Sequence, residues 1–178
     1  MSVKYFDEIK KQALVSVAES MLIAAKTAPK GKGMEMLSYA IIDGEDIENI
    51  SQKMIEMGHA NNAPGFIRDG NNIKTSPVIV LIGTKIKSLG LNERCQLCSF
   101  KNCAEREKQP NIPCIFNTVN LGIAVDSAVS VAMNHKVDNR IMYSIGQAVK
   151  ELYLMEKDVK IIFGIPLSAS EKNIFFDR

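Results

Sequence analysis

The run Pro77-Val-Ile-Val-Leu-Ile-Gly83 constrains the fold of this 178-residue chain more than any other segment. It is continuous and mostly β-branched, opened by proline and closed by glycine, with no polar residue to turn toward water. A strand of that kind must be covered on both faces, as at the centre of an α/β sheet. The flanking sequence supplies the cover. Phe6 to Lys26 places Phe6, Ile9, Ala13, Val17, Met21 and Ala24 at three- and four-residue intervals, which predicts one long helix. It stops at Thr27-Ala-Pro-Lys-Gly-Lys-Gly33, where proline and two glycines cannot continue it. A strand over Met36–Asp43, a helix over Asp46–Met57 and a polar loop with a short helical turn over His59–Thr75 complete the first half. Val119–Met133 predicts a helix apolar nearly all round, hence central and buried. A helical stretch over Asn139–Leu152 and a strand over Val159–Leu167 follow, and there is no internal repeat. The reading is one α/β (α+β) domain over residues 1–178, a mixed sheet covered by helices.

Hydrophobic periodicity is lost from Lys85 to Pro113, and this stretch holds the first three of the chain's four cysteines, with the fourth just after it. We read residues 85–117 as a cysteine-rich, metal-binding insertion. Cys95, Cys98, Cys103 and Cys114 have the spacing C-x2-C-x4-C-x10-C. Three thiols within nine residues converge only if the backbone wraps a common centre, and the fourth, after Pro113, can close the shell from the far side. Four thiolates bind zinc as a tetrahedral S4 site or an iron–sulfur cluster. Zinc sites often come as two C-x2-C knuckles, and here only one such pair exists. A compact triad with a remote fourth ligand suits a [4Fe-4S] cubane, and Lys101, Arg106 and the loop amides can offset its negative charge. The alternative is a zinc-stabilised α/β binding module without catalytic activity. His59 and His135 lie outside the segment.

The formal net charge of +2 gives little attraction to nucleic acid or anionic membranes. No stretch approaches the roughly 20 apolar residues of a membrane span; Leu121–Met133 is short and interrupted by Asp126. The first residues lack the apolar core of a signal peptide, so a cytoplasmic protein with reduced thiols is expected. Asp126, set in an apolar helix, is expected to be buried against Arg140 or Lys136. Ser127, Ser130 and Ser144 lack a Gly-x-Ser-x-Gly setting, which disfavours hydrolase chemistry. Lys30-Gly-Lys32-Gly33 is a basic glycine-rich loop, but it does not match a P-loop, and a helix C-terminus disfavours anions. Lys172 and Arg178 sit in a charged tail.

Several motifs occur together and in order: Thr27-Ala-Pro-Lys-Gly-Lys-Gly33, the cysteine segment, Leu121-Gly-Ile-Ala-Val-Asp-Ser-Ala-Val-Ser130, Asp138-Asn-Arg-Ile-Met-Tyr-Ser144, and the ending from Gly164 to Arg178. With them the whole chain resembles a family of small prokaryotic proteins containing a ferredoxin-like domain. The resemblance implies a four-cysteine 4Fe-4S motif on Cys95, Cys98, Cys103 and Cys114, and so a redox or electron-transfer role with an unidentified electron donor or acceptor. That motif normally carries glycine after its first and second cysteines, where this chain has Gln96 and Ser99.

The order of elements is also similar to the flavin-dependent nitroreductases, in which a long helix ends in an Ala-Pro-Ser type loop beside the flavin. Ala28-Pro29-Lys30 fits that plan. Two departures are the lack of an N-terminal Arg-Arg-Ser and of an Asn before the strand. This second resemblance implies a nitroreductase-like oxidoreductase fold, FMN near Lys26, Lys30 and Lys32 with Lys172 from the tail, and a two-fold homodimer. The exposed-looking aromatics of Asn173-Ile-Phe-Phe176 would then be covered by the second subunit.

Overall fold

The computed structural model describes residues 3–176. The chain runs α1 (Phe6–Thr27), β1 (Leu37–Asp43), α2 (Glu45–Ala60), α3 (Pro64–Ile73), β2 (Val78–Lys85), α4 (Cys103–Glu107), α5 (Ile115–Asn134), β3 (Asp138–Asn139), α6 (Tyr143–Glu151) and β4 (Val159–Ser168). The strands form one sheet in the order β1-β2-β4-β3. β2 lies inside it, and every residue from Val78 to Ile82 is 0% exposed. Its side chains alternate between two cores, as a period of two requires. Val78, Val80 and Ile82 meet Leu14, Met21, Leu121 and Ala128 of α1 and α5. Ile79 and Leu81 meet Ile50, Met54 and Ile145 of α2 and α6.

The α/β architecture is the one expected, with one correction. Each strand pairing is antiparallel, β1 with β2, β2 with β4 and β3 with β4, so the sheet among the described residues is not mixed. A strand apolar on both faces reports two covered faces; it does not report the direction of its neighbours.

α3 is a ten-residue helix where a loop with a short turn was expected. Its sequence is rich in Gly and Asn, and tertiary contacts make it a helix. Gly70 lies so close to α2 that a Cβ there would stand 2.9 Å from the Ser51 carbonyl oxygen, and the Ser51 hydroxyl donates to the Gly70 carbonyl at 2.8 Å. Asp69 is buried, accepting from Arg68 and from the Ser144 hydroxyl, each at 2.7 Å, which ties α3 to the start of α6.

α5 corrects a second expectation. It packs Leu121, Ala124, Val125, Ala128 and Ala132 inward, yet its other side is open, with Val119 43% and Met133 66% exposed. Asp126 lies on that open side and makes no ion pair with Arg140 or Lys136. Arg140 instead donates to the Phe175 carbonyl at 2.7 Å and stands over the Phe176 ring. By length and composition α5 is apolar enough to cross a membrane, although in this fold it is a layer over the sheet. The tail aromatics are likewise covered within the chain itself. Phe175 is 0% exposed in the α2–α6 core, with Ile174 and Phe176 packed against it. Arg178 lies outside the described residues.

Candidate metal centre

β2 ends at Lys85, whose amide is held by the Met36 carbonyl at 2.9 Å. Between there and Asn102 the chain forms only a 3-10 turn, Asn92–Arg94. That turn delivers Cys95, and the following loop delivers Cys98. Asn102 then caps α4, its side chain accepting from the Glu105 amide at 2.9 Å, so that Cys103 opens the helix. Cys114 is the N-cap of α5, and its own amide donates to Asn117 Oδ1 at 2.9 Å. Four thiols from four local structures thereby reach one place: Cys95, Cys98, Cys103 and Cys114 line a single hollow with Leu89, Leu91, Phe100 and Phe116. Cys114 is buried and the other three are partly so; all four are free thiols.

The surroundings offer hydrogen-bond donors to the sulfurs. Cys114 sits at the N-terminus of a 20-residue helix, where unpaired amides and the helix dipole stabilise negative charge. Cys103 Sγ already accepts a hydrogen bond from the Asn92 amide at 3.3 Å. Cys95 is right-handed (φ −98°, ψ −60°) and Gln96 left-handed (φ 48°), the backbone pattern that gathers successive N–H groups into an anion-binding concavity. Ser99 is left-handed as well, at φ 61°. Among the described residues, no amide from Gln96 to Phe100 donates to a backbone carbonyl. Left-handed backbone after the first two cysteines is the conformation glycine adopts without penalty, which gives the family motif's glycines a physical reason. Of the two cations proposed to offset charge, Lys101 is exposed and Arg106 is 3% exposed.

Although the four cysteines line one hollow, no three His, Cys, Asp or Glu side chains among the described residues are grouped closely enough to hold a metal ion as they stand.

The lysines expected at a flavin are differently placed. Lys26 pairs with Glu35 at 2.7 Å. Lys30 donates to the carbonyls of Ala25, Lys26 and Ala28 at 2.8–2.9 Å, closing the C-terminus of α1 with all three of its protons. Burial lowers its pKa; Glu35 opposes that shift and Lys26 adds to it. Lys32 reaches the Leu89 carbonyl at 3.4 Å. These three lie at and just after the end of α1, whereas Lys172 is exposed on the tail whose Phe175 belongs to the opposite core. Glu35 also accepts from the Tyr39 hydroxyl at 3.2 Å; burial and the carboxylate both push that phenol's pKa up. Sequence reasoning did not single out Glu35 or Tyr39, because nothing local marks a partner nine or thirteen residues from Lys26.

The loop nonetheless adjoins the cysteine hollow. The Gly31 amide donates to Asn120 Oδ1 at 3.1 Å, and a Cβ on Gly31 would stand 2.8 Å from Leu89 and 3.4 Å from Phe116, two residues that also line the hollow. Gly31 has to be small for that wall to close. His59 and His135 sit at the C-terminal ends of α2 and α5.

The helix-covered antiparallel sheet has a nitroreductase-like fold, with a four-cysteine hollow at one end. Solved structures with this fold include nitroreductase CinD from Lactococcus lactis (TM-score 0.62, 11% identity, 89% of this chain and 79% of that one). A nitroreductase with bound FMN from Desulfitobacterium hafniense DCB-2 is similar at TM-score 0.60 and 10% identity, over 88% and 78% of the two chains. A BluB-like flavoprotein from Clostridium difficile 630 matches at TM-score 0.52 and 18% identity, over 88% and 84%. In sequence, residues 110–178 match the model of the family described as uncharacterized protein containing a ferredoxin domain (DUF2148). An uncharacterized protein of Archaeoglobus fulgidus is 39% identical over 181 residues, 96% of this chain and 95% of that one. The chain belongs to this ferredoxin-domain family. The matched stretch 110–178 contains Cys114; the other three cysteines precede it.

Proposed function

We propose that the protein is a redox carrier whose working group is a [4Fe-4S] cluster held by Cys95, Cys98, Cys103 and Cys114 within a separable segment, residues 85–117. The observation that carries this reading is the convergence of all four thiols on one hollow. The ferredoxin description of the family supports it. Such a cluster supplies one-electron transfer. This chain's part is to offer the sulfurs hydrogen-bond donors, the Asn92 amide to Cys103 and the α5 N-terminus to Cys114, and to wall the hollow with Leu89 and Phe116. A cytoplasmic setting suits four free thiols. Anaerobic reconstitution with iron and sulfide should give a brown protein with near-stoichiometric acid-labile sulfide. A colourless preparation with stoichiometric zinc and no labile sulfide would replace this reading with that of a zinc-stabilised binding module.

FMN rests on the fold alone. Lys26, Lys30 and Lys32 are engaged within the chain, so their geometry offers a flavin phosphate no uncommitted cation from this loop. A flavin-associated oxidoreductase therefore requires phosphate contacts other than these. Yellow protein carrying stoichiometric flavin after purification is the result that would reinstate it.

The partner proposed is a second copy of the chain. Ile115, Val119 and Ile123 recur every four residues along the open side of α5, with Met133 beyond them and Ile23 of α1 66% exposed. A face this apolar is expected to be covered. Light scattering at micromolar concentration should give twice the chain mass, and Val119→Glu should return it to one; a wild-type monomer would overturn the dimer.

A further inference from the structure

The cysteine segment leaves the body of the fold at Lys87–Ser88 and returns at Ile112–Cys114, and two buried polar side chains join these points. Arg106, 3% exposed, donates from Nε to the Ser88 hydroxyl at 3.0 Å and from Nη1 to the Ile112 carbonyl at 2.8 Å. Asn117, 0% exposed, donates from Nδ2 to the Lys87 carbonyl at 3.0 Å while its Oδ1 accepts from the Cys114 amide at 2.9 Å. Each side chain spans the neck from the outgoing strand to the returning one. Neither contact involves a thiol, so both exist without metal.

Arg106 is unusual in a second way. It is a buried guanidinium whose partners are a hydroxyl and a carbonyl, and among the described residues no carboxylate pairs with it. A buried cation without an anion is strongly disfavoured. Three residues along α4 from Cys103, it shares that thiol's helical face, and the carbonyl it holds is two residues before Cys114.

We propose that Arg106 and Asn117 form a metal-independent clasp that closes the neck of the cysteine segment, and that Arg106 is also the resident cation opposite the anionic cluster. Both are positioning residues. The clasp stands on the hydrogen bonds alone, whereas the counter-ion role rests on the cluster reading given above. Closing the neck fixes Cys114 before loading, which lowers the ordering cost of binding. A cation near the cluster stabilises its more negative, reduced state and raises the potential.

The test uses the full chain, metal-free and reconstituted anaerobically with iron and sulfide, as wild type, Arg106→Met, Arg106→Lys and Asn117→Ala. In the metal-free protein the Cys114 amide should be protected from hydrogen exchange, and Asn117→Ala should abolish that protection. In the loaded protein Arg106→Met and Asn117→Ala should each lose iron to a chelator about 10- to 100-fold faster, the scale of lost outer-shell contacts. Arg106→Met should also move the midpoint potential to more negative values, while Arg106→Lys, which keeps the charge and loses the fork, should hasten iron loss but leave the potential near wild type. If Arg106→Met does not fold, Asn117→Ala and Arg106→Lys decide the clasp, and the Arg106→Gln potential decides the charge. Equal Cys114 exchange in wild type and Asn117→Ala overturns the clasp; an unchanged potential in the neutral variant overturns the counter-ion. A wild type that takes up no iron and sulfide removes the cluster reading and the counter-ion role with it, and leaves the exchange measurement to judge the clasp.

Discussion

β2 and the cysteine segment adjoin at Lys85 and are held together by opposite means. Val78–Ile82 is completely buried, with apolar neighbours on both faces. From Ile86 to Pro113 only Leu89 and Arg106 are buried. Hydrophobic transfer is roughly proportional to buried apolar area, so it stabilises the strand and contributes little to the loop. Hydrogen bonds at the neck, helix caps and whatever the thiols bind must hold the segment instead. Two regions with separate sources of stability should fail separately.

The largest effect expected is in the body. Leu81→Ala empties a site in the α2–α6 core and should cost about 2–5 kcal/mol, read by chemical denaturation, while the iron bound per folded molecule stays the same. A concurrent loss of metal would show that the two regions are one cooperative unit. Next comes the reciprocal experiment. Cys98→Ala or Cys103→Ala should abolish the metal centre and open residues 85–115 to proteolysis, yet shift the body's unfolding free energy by less than about 1 kcal/mol, since the strand's contacts are untouched. Global unfolding of either variant would place the site in the core.

A smaller effect sharpens the contrast from the loop side. Gln96 and Ser99 hold left-handed backbone at φ 48° and 61°, so Gln96→Gly and Ser99→Gly should each steady the loaded segment by about 0.5–1 kcal/mol, less the entropy glycine adds to the unfolded chain. Slower thermal bleaching of the cluster would register this; an unchanged or faster rate would show that the strain is relieved elsewhere.

The smallest effect is a pH dependence at the other end of the shared wall. Burial raises the Glu35 carboxyl, but the Lys26 hydrogen bond, the Leu37 amide and the charges of Lys26 and Lys30 outweigh it, so its pKa is lowered overall. A depressed folded pKa means that the stabilisation is complete above the unfolded carboxylate value of about 4.3 and is lost as pH falls through the folded one. Glu35→Gln should therefore flatten the loss of stability below about pH 4.3 and leave the cluster's absorbance unaltered. Identical acid profiles for the two proteins would remove Glu35 from the account.

Much of the body was legible because its signals are local. The apolar run of β2 and the three- and four-residue spacing of α1 and α2 each lie within one element. α3 was not, since its helix depends on Gly58 and Gly70 admitting a neighbouring backbone. The sequence of α5 asked for cover on every side, which is why a second subunit was expected, but it could not say which side its own chain leaves open. Asp126 and Phe175 were misplaced together, one exposed and one buried, because burial depends on which face meets the sheet.

The sequence by itself determined the two-faced central strand, the long first helix and the four-thiol spacing, for each is written in neighbouring residues and short-range sterics. Only the tertiary structure decided that the sheet is antiparallel, that Cys114 caps α5, and that Lys30 is spent on carbonyls. It also decided that Arg106 and Asn117 bridge the neck. Those outcomes rest on pairs such as Lys87 with Asn117 and Gly31 with Asn120, distant in sequence, which come into hydrogen-bonding distance only when packing fixes where each element ends.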